Sequence, residues 1–431
     1  MSDALSTGDQ TWFTESRLGM FVHWGLYSLA ARHEWVKNHE RLTDEDYQPY
    51  FDHFDPDLYD PDEWARLAQA AGMRYLVITT KHHDGFCLWD SAHTDYKVTN
   101  TPYGKDLIEP LVKAVRDRGM RIGFYHSLLD WHHPQFPVDG HHPQRDDEEF
   151  KAANGHRDVS KYADYLHAQV RELLTDYGRI DYLFFDFSYE GRPDTWNGKG
   201  PADWRSRELL AMVRALQPGI IVNDRLDIPG DFVTPEQYQP DEPLRAADGT
   251  LVPWEVCQTL NGSWGYDRDN HDDKSPDLLV RMLVDAVAKD GNLLLNVGPT
   301  GRGLIDPRAE RTFRAIGEWM RLHGRAVYGC GPSEFTAPAD CRYTQRGDRL
   351  YLHLFAWPFG HLQLPGLAGR VRYAQFLHDA SEITVQRIDA GQAPDTTRMS
   401  APSAGTLTLR LPVRRPEVAV PVIELFLTPA S

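Results

Sequence analysis

The chain predicts an α/β fold, a (β/α)8-like TIM barrel over residues 1–334, followed by an antiparallel β-sandwich over residues 335–431. Three observations carry this expectation. Up to about residue 325, short apolar runs of β type alternate with amphipathic helical patterns. Those runs are apolar almost throughout, as parallel strands covered on both faces must be. Beyond residue 335 the pattern changes to short alternating strands separated by Gly, Pro and Asp turns.

The β-type runs are, in order, "GMFVHWG", "RYLVITTKHH", "RIGFYHS", "IDYLFFDF", "GIIVNDR", "WEVCQTL" and "GNLLLNVG". Between them lie the helical patterns "DPDEWARLAQAAG", "DLIEPLVKAVRDRG", "SKYADYLHAQVRELLTDYG", "RSRELLAMVRALQPG" and "SPDLLVRMLVDAVAKDG", each stopping at Gly. In the third of these, Tyr162, Leu166, Val170, Leu173 and Tyr177 recur near helical spacing and share one buried stripe. No GxGxxG follows the first run, which argues against a doubly wound sheet. Seven runs are visible where a barrel needs eight, so one strand is expected to be irregular. In the last hundred residues "RLYLHLFAW", "VRYAQFL", "ITVQRI", "TLTLRL" and "VIELFLT" supply the sandwich strands.

Composition narrows the function. A formal charge of −17 argues against nucleic-acid and anionic-membrane partners, whose phosphates it would repel, and favours a neutral substrate. No run approaches the ~18–20 apolar residues of a membrane span. The opening "MSDALSTGDQTWF" lacks a basic and an apolar segment, so the expected location is the cytoplasm. Cys87, Cys257, Cys330 and Cys341 form no CxxC pair and read as buried thiols, with a Cys330–Cys341 bridge left open.

Catalytic groups of a barrel project from the C-terminal ends of its strands. Those ends present His23–Trp24, His82–His83–Asp84, Tyr125–His126, Asp186, Asn223–Asp224–Arg225, Glu255 and Asn296. Asp186 shares a strand face with Tyr182 and Phe184, and reads as a nucleophile or base in the barrel mouth, or as a helix cap. Glu236, on the loop after the fifth run, is a candidate partner, with Arg225 close enough in sequence to orient either carboxylate. Two carboxylates among aromatics and neutral donors suit glycoside hydrolysis. Adjacent residues on a strand point to opposite faces, so His82 and His83 are poorly placed to share a metal. At a frayed strand end both reach one ligand, and they read as neutral partners for hydroxyl groups. His132, His133, His141 and His142 come as adjacent pairs in a long loop and read as solvated rather than metal-binding.

Taken together, "GMFVHWGLYS", "HEW", "TKHHDGFCLWDS", "GFYHSLLDW", the strand ending at Asp186, "GDFVTPE", "SWGY" and "GNLLLNVGPTGRG" resemble glycoside hydrolase family 29, the α-L-fucosidases. The resemblance spans roughly residues 10–330, and the β-rich tail matches that family's C-terminal domain. It implies an exo-acting, retaining hydrolase of terminal α-L-fucosyl residues that works by double displacement without metal or cofactor. It implies Asp186 as nucleophile and Glu236, from "TPE", as acid/base. By the same resemblance His23, Glu34, Trp35, His82, His83, Tyr125, Arg225 and Trp264 line the sugar pocket. Relatives often carry Trp two residues before the nucleophile, where this chain has Phe184. Glu255 is the reserve acid/base. The implied partner is a fucosylated oligosaccharide or glycoconjugate. The competing readings are an inactive carbohydrate-binding protein on the same scaffold, a glycosidase for a related sugar such as galactose, and a metal-dependent barrel hydrolase, which would want an HxH strand end that is absent.

Overall fold

The computed structural model describes residues 7–192, 196–386 and 405–428. Seven strands form one curled, wholly parallel sheet: β1 (Leu18–Val22), β2 (Tyr75–Lys81), β3 (Arg121–Ser127), β4 (Tyr182–Asp186), β5 (Ile221–Val222), β6 (Trp254–Gln258) and β7 (Gly291–Val297). Their spatial order is β5-β4-β3-β2-β1-β7-β6, so β1 sits between β2 and β7, while β5 and β6 lie at the two ends. Between β5 and β6 runs an irregular stretch. Phe232 makes a parallel bridge to Asn223, and Val233 and Glu236 make parallel bridges to Trp254 and Cys257. Pro235, which has no amide proton, interrupts regular pairing there, so the stretch does not read as a strand in sequence.

Helices connect the strands where the periodicity expects them. Pro61–Ala70, Pro276–Ala288 and Pro307–His323 each begin with Pro behind a capping Asp60, Ser275 or Asp306, whose side chain accepts a first-turn amide proton. Gly72 and Gly119, just past the ends of the first two connecting helices, have φ of 83° and 70°, a conformation other residues resist. On the helix Val159–Asp176 the stripe Tyr162, Leu166, Val170 and Leu173 is buried. Its last expected member, Tyr177, is the C-cap and reaches Asp106 Oδ2 at 2.6 Å instead.

The concave face of the sheet holds a core of its own, in which Phe21, Tyr75, Val77, Tyr125, Tyr182, Phe184 and Leu294 pack with Trp12 and Phe13 from the N-terminal helix. Glu255 lies deep in this core, fully buried. It is the second residue of β6, not its end, and here the structure corrects the expectation: the apolar run continues through Val256 and Cys257 before the strand stops. Its carboxyl accepts hydrogen bonds from Tyr75 and, at 2.7 Å, from Tyr182. Both tyrosines fit because they pack over glycines. A Cβ on Gly19 would lie 2.3 Å from the Tyr75 ring, and one on Gly123 2.8 Å from the Tyr182 ring.

Burial pushes the Glu255 carboxyl up to about 7. The folded chain therefore keeps a proton that the unfolded chain releases near ~4.3. The stability contributed by that proton is fully present below the unfolded value and is lost as pH rises through about 7. Glu255→Gln preserves the hydrogen-bonding shape without the titration. It is expected to flatten the fall in melting temperature between pH 5 and 8, measured by calorimetry against wild type. Glu255→Ala is expected to cost roughly 2–4 kcal/mol by stranding two buried hydroxyls.

The remaining strands are antiparallel: β8 (Cys341–Arg346), β9 (Arg349–Leu354), β10 (His361–Leu364), β11 (Val371–Phe376), β12 (Thr384–Gln386), β13 (Leu407–Arg410) and β14 (Val422–Leu427). They make a four-stranded sheet, β11-β14-β9-β8, and a three-stranded sheet, β10-β13-β12. Leu350, Leu352, Leu364, Leu409, Ile423 and Leu425 from both sheets share one core. β8 and β10 were not expected from sequence, and the last two residues of the expected strand "ITVQRI" lie outside the described residues. Trp319 Nε1 donates to the Val420 carbonyl at 2.9 Å, and Arg342 pairs with Asp285 at 2.7 Å, fastening these sheets to the helices behind β7. All four cysteines are free and buried, so Cys330 and Cys341 are not bridged. Among the described residues no helix is long and apolar enough to cross a membrane.

Candidate active site

The C-terminal ends of the parallel strands open into a cavity lined by Phe21, His23, Trp35, His82, His83, Tyr125, Phe184, Asp186, Phe187, Arg225, Glu236, Cys257 and Trp264. Of the residues that the family resemblance implies as nucleophile, acid/base and sugar-pocket lining, only Glu34 is missing from this cavity wall. It sits just behind it, 1% exposed, where its Oε2 accepts the amide protons of Trp264 at 3.1 Å and Gly265 at 2.9 Å. Glu34 thus clamps the turn that presents Trp264. Burial raises its carboxyl to about 7.

Asp186 ends β4 and is 15% exposed. Its Oδ2 accepts from Tyr125 Oη at 2.8 Å and its Oδ1 from Arg225 Nη1 at 3.0 Å. The strand end is held from the side by Asn223, whose amide bonds both the N–H and the C=O of Phe185 at 2.9 Å, as a neighbouring strand would. The next residue, Phe187, has φ of 82°, strained for a side chain of that size. That turn puts Phe187 into the cavity beside Asp186. Burial raises the Asp186 carboxyl to about 6, opposed by the Arg225 charge and reinforced by the Glu236 carboxylate.

Glu236 comes from the irregular stretch beside β6 and is 40% exposed. Arg225 Nη2 donates to its Oε2 at 2.9 Å. The same guanidinium therefore bridges the two carboxylates, itself steadied by Thr234, whose Oγ1 accepts from Nε at 3.0 Å. Two ordinary hydrogen bonds to one planar fork keep the bonded oxygens within roughly 8 Å of each other. That limit includes the ~5–5.5 Å separation of retaining glycosidases. Glu255 lines no part of the cavity.

The two adjacent histidines reach the cavity together because β2 slips register against β3 between Thr79 and Lys81, which re-aims the residues that follow. Their ring centroids lie 4.1 Å apart, and His82 stacks on Tyr125 at 5.6 Å. Burial depresses both well below the usual histidine range, and pushes His23 down to about 3, so all three are neutral. Asp84 and His126, also expected at strand ends, turn away: Asp84 accepts from Tyr47 Oη at 3.0 Å and His126 pairs with Thr80 at 3.0 Å. Among the described residues no cluster of three His, Cys, Asp or Glu could hold a metal ion.

Phe21, Phe184, Phe187 and Cys257 line the cavity without having been singled out as site residues. The first two lie two residues before His23 and Asp186, so inward alternation could have found them, whereas nothing in the sequence announces the strained turn at Phe187. Beyond Phe187 the aromatic lining continues outwards. His141 lies 5.0 Å from Phe187, 4.7 Å from Tyr189 and 5.0 Å from Trp196, centroid to centroid. His141 thus belongs to a half-buried aromatic cluster rather than to the solvated loop expected from sequence.

Comparison with known proteins gives a consistent result. A family model described as alpha-L-fucosidase matches residues 3–325. Tissue alpha-L-fucosidase of Bos taurus is 32% identical over 386 residues, covering 82% of this chain and 76% of its own. The solved structure of alpha-L-fucosidase isoenzyme 1 from Paenibacillus thiaminolyticus is 44% identical with a TM-score of 0.90, covering 97% of this chain and 98% of that one. A family 29 alpha-L-fucosidase from Bacteroides thetaiotaomicron, solved as a trapped covalent intermediate with 2-fluoro-fucosyl fluoride, is 28% identical with a TM-score of 0.82, and covers 99% of both chains.

Proposed function

The chain belongs to the alpha-L-fucosidase family, glycoside hydrolase family 29, and from that premise we propose how its residues perform the retaining hydrolysis of α-L-fucosides. Asp186 is the nucleophile and Glu236 the acid/base. The observation that carries this assignment is the single guanidinium of Arg225 bonded to both carboxylates at the mouth of a neutral, aromatic-lined pocket. In the first step Glu236 protonates the glycosidic oxygen as an Asp186 oxygen bonds the anomeric carbon, giving a fucosyl ester and a free alcohol. In the second, Glu236 takes a proton from water, which displaces Asp186 and restores the original anomeric configuration. The loop position and partial exposure of Glu236 let its carboxyl leave Arg225 for the leaving group.

Tyr125 and Arg225 hold Asp186 as an anion despite its burial, and the neutral His23, His82 and His83 meet sugar hydroxyls without adding charge. Trp35 and Trp264 supply apolar faces. The aromatic cluster of His141, Tyr189 and Trp196 continues from this pocket and supports a fucosylated oligosaccharide or glycoconjugate as the natural substrate, with the second sugar packing there. We also read the stretch 232–236 as the eighth strand of a (β/α)8-like barrel, its bridges to β5 and β6 supporting closure. The domains are then residues 1–334 and a β-sandwich over 335–431.

Asp186 must be ionised to attack, so activity is expected to fall as pH drops through about 6. Tyr125 donates to that carboxylate and favours the anion. Tyr125→Phe is therefore expected to move the acid limb of kcat/KM to higher pH, measured on an aryl α-L-fucoside. A limb that stays in place or moves down contradicts the assignment of that limb to Asp186.

A further inference from the structure

Building on the fucosidase reading, we propose that Asn296 is a positioning residue that fixes the tautomer of His23, so that the pocket meets the sugar there as an acceptor and requires a hydroxyl that donates. Asn296 is the penultimate residue of β7, and its Nδ2 donates to the Trp264 carbonyl at 2.7 Å. A carbonyl cannot donate, so the amide cannot be turned round: an oxygen would then face an oxygen. Oδ1 must therefore face His23 Nδ1, 2.7 Å away. An acceptor in that position places the proton of the neutral ring on Nδ1. Nε2, on the opposite edge of a ring that lines the cavity, carries a lone pair and has no partner among the described residues.

His83 repeats the device. Ser127 Oγ donates to the buried Leu129 carbonyl at 2.9 Å and accepts the Leu129 amide proton at 3.0 Å. Turning the hydroxyl towards His83 would strip that carbonyl of its donor. His83 Nδ1, 2.6 Å from Ser127 Oγ, therefore donates, and its Nε2, 3.9 Å from Asp186 Oδ2, is again an acceptor. Two histidines held in the same sense make the pocket a reader of hydroxyl protons. A sugar with hydrogen or fluorine at those positions leaves a buried lone pair unpaired, since fluorine accepts but does not donate.

The test has two arms. Nitrogen-15 NMR of histidine-labelled enzyme reads the tautomer directly, and His23 is expected to be protonated on Nδ1. In the second arm, aryl α-L-fucosides with each ring hydroxyl replaced in turn by hydrogen or fluorine are compared, each rate divided by that of the same glycoside's spontaneous hydrolysis, because fluorine destabilises and hydrogen stabilises the cationic transition state by itself. At the position facing His23 both replacements are expected to cost roughly 100-fold in kcat/KM, and to cost the same. Asn296→Ala frees His23 to carry its proton on Nε2, so in that variant the fluorinated analogue is expected to outperform the deoxy analogue. An Nε2 proton on His23 in active wild-type enzyme overturns the proposal, as does a fluorinated analogue that beats its deoxy counterpart at every position. If Asn296→Ala does not fold, both wild-type measurements still decide. A wild-type enzyme inactive on every fucoside instead overturns the fucosidase reading, and the tautomer measurement separates the two failures.

Discussion

Asp186→Ala is expected to lower kcat on an aryl α-L-fucoside by at least three orders of magnitude, about 4 kcal/mol of barrier. Among the described residues, this carboxylate is the only one at a strand end with both a phenol and a guanidinium holding it in the charged form. On the proposed double displacement no fucosyl ester forms without it. Azide fits the space left by the side chain and carries the same charge, so it is expected to restore part of the turnover and to give a β-fucosyl azide, inverted relative to the substrate. Arg225 is left facing the vacated side and favours the entry of an anion. A variant that keeps more than about a tenth of wild-type activity contradicts the assignment, because a tenfold loss is only ~1.4 kcal/mol.

Glu236→Ala is expected to abolish hydrolysis of fucosylated oligosaccharides while leaving most of the first step on activated aryl fucosides. Loss of a general acid matters in proportion to the basicity of the leaving oxygen, and phenolates with strong withdrawing groups depart unprotonated. The fucosyl ester then accumulates, since water also lacks its base, and a burst of phenol followed by slow turnover is expected in stopped-flow measurements. Glu255→Ala, by contrast, is expected to change both substrate classes alike, because that carboxyl is buried under two tyrosines and touches nothing in the cavity. If Glu255→Ala produces the leaving-group dependence and Glu236→Ala does not, the acid/base role passes to Glu255.

Much of this site can be read from strand ends. His23, His83, Tyr125 and Asp186 sit where an apolar run meets polar residues, and a parallel sheet brings such ends to one rim. Arg225 follows from the same rule one strand further on. Glu255 misleads for a related reason: it reads as a strand end although it is the second residue of its run, and the strand continues through Gln258, which places Glu255 in the core rather than at the rim. Glu34 and Trp264 lie on loops, and only the family resemblance pointed to them; Glu236, also on a loop, was a candidate from its place near Arg225, and the resemblance gave it its role. The irregular stretch carrying Glu236 is too short and too interrupted by Pro235 to show a strand period. Phe187 depends on one left-handed residue, and the orienting role of Asn296 depends on the Trp264 carbonyl, a backbone group that no side-chain pattern reveals. In the C-terminal region β10, where exposed His361 and Gln363 alternate with Leu362 and Leu364, is too short and polar to stand out.

By the proposed double displacement, turnover passes through a covalent bond between fucose and Asp186. The most direct measurement is mass spectrometry of proteolytic peptides after brief exposure to 2-fluoro-fucosyl fluoride, whose fluorine slows release of the ester more than its formation. One added 2-fluoro-fucosyl group is expected, on the peptide that contains Asp186, absent from Asp186→Ala and lost again as activity returns. Label on any other residue, or an active enzyme that acquires none and releases β-fucose as its first product, would contradict it.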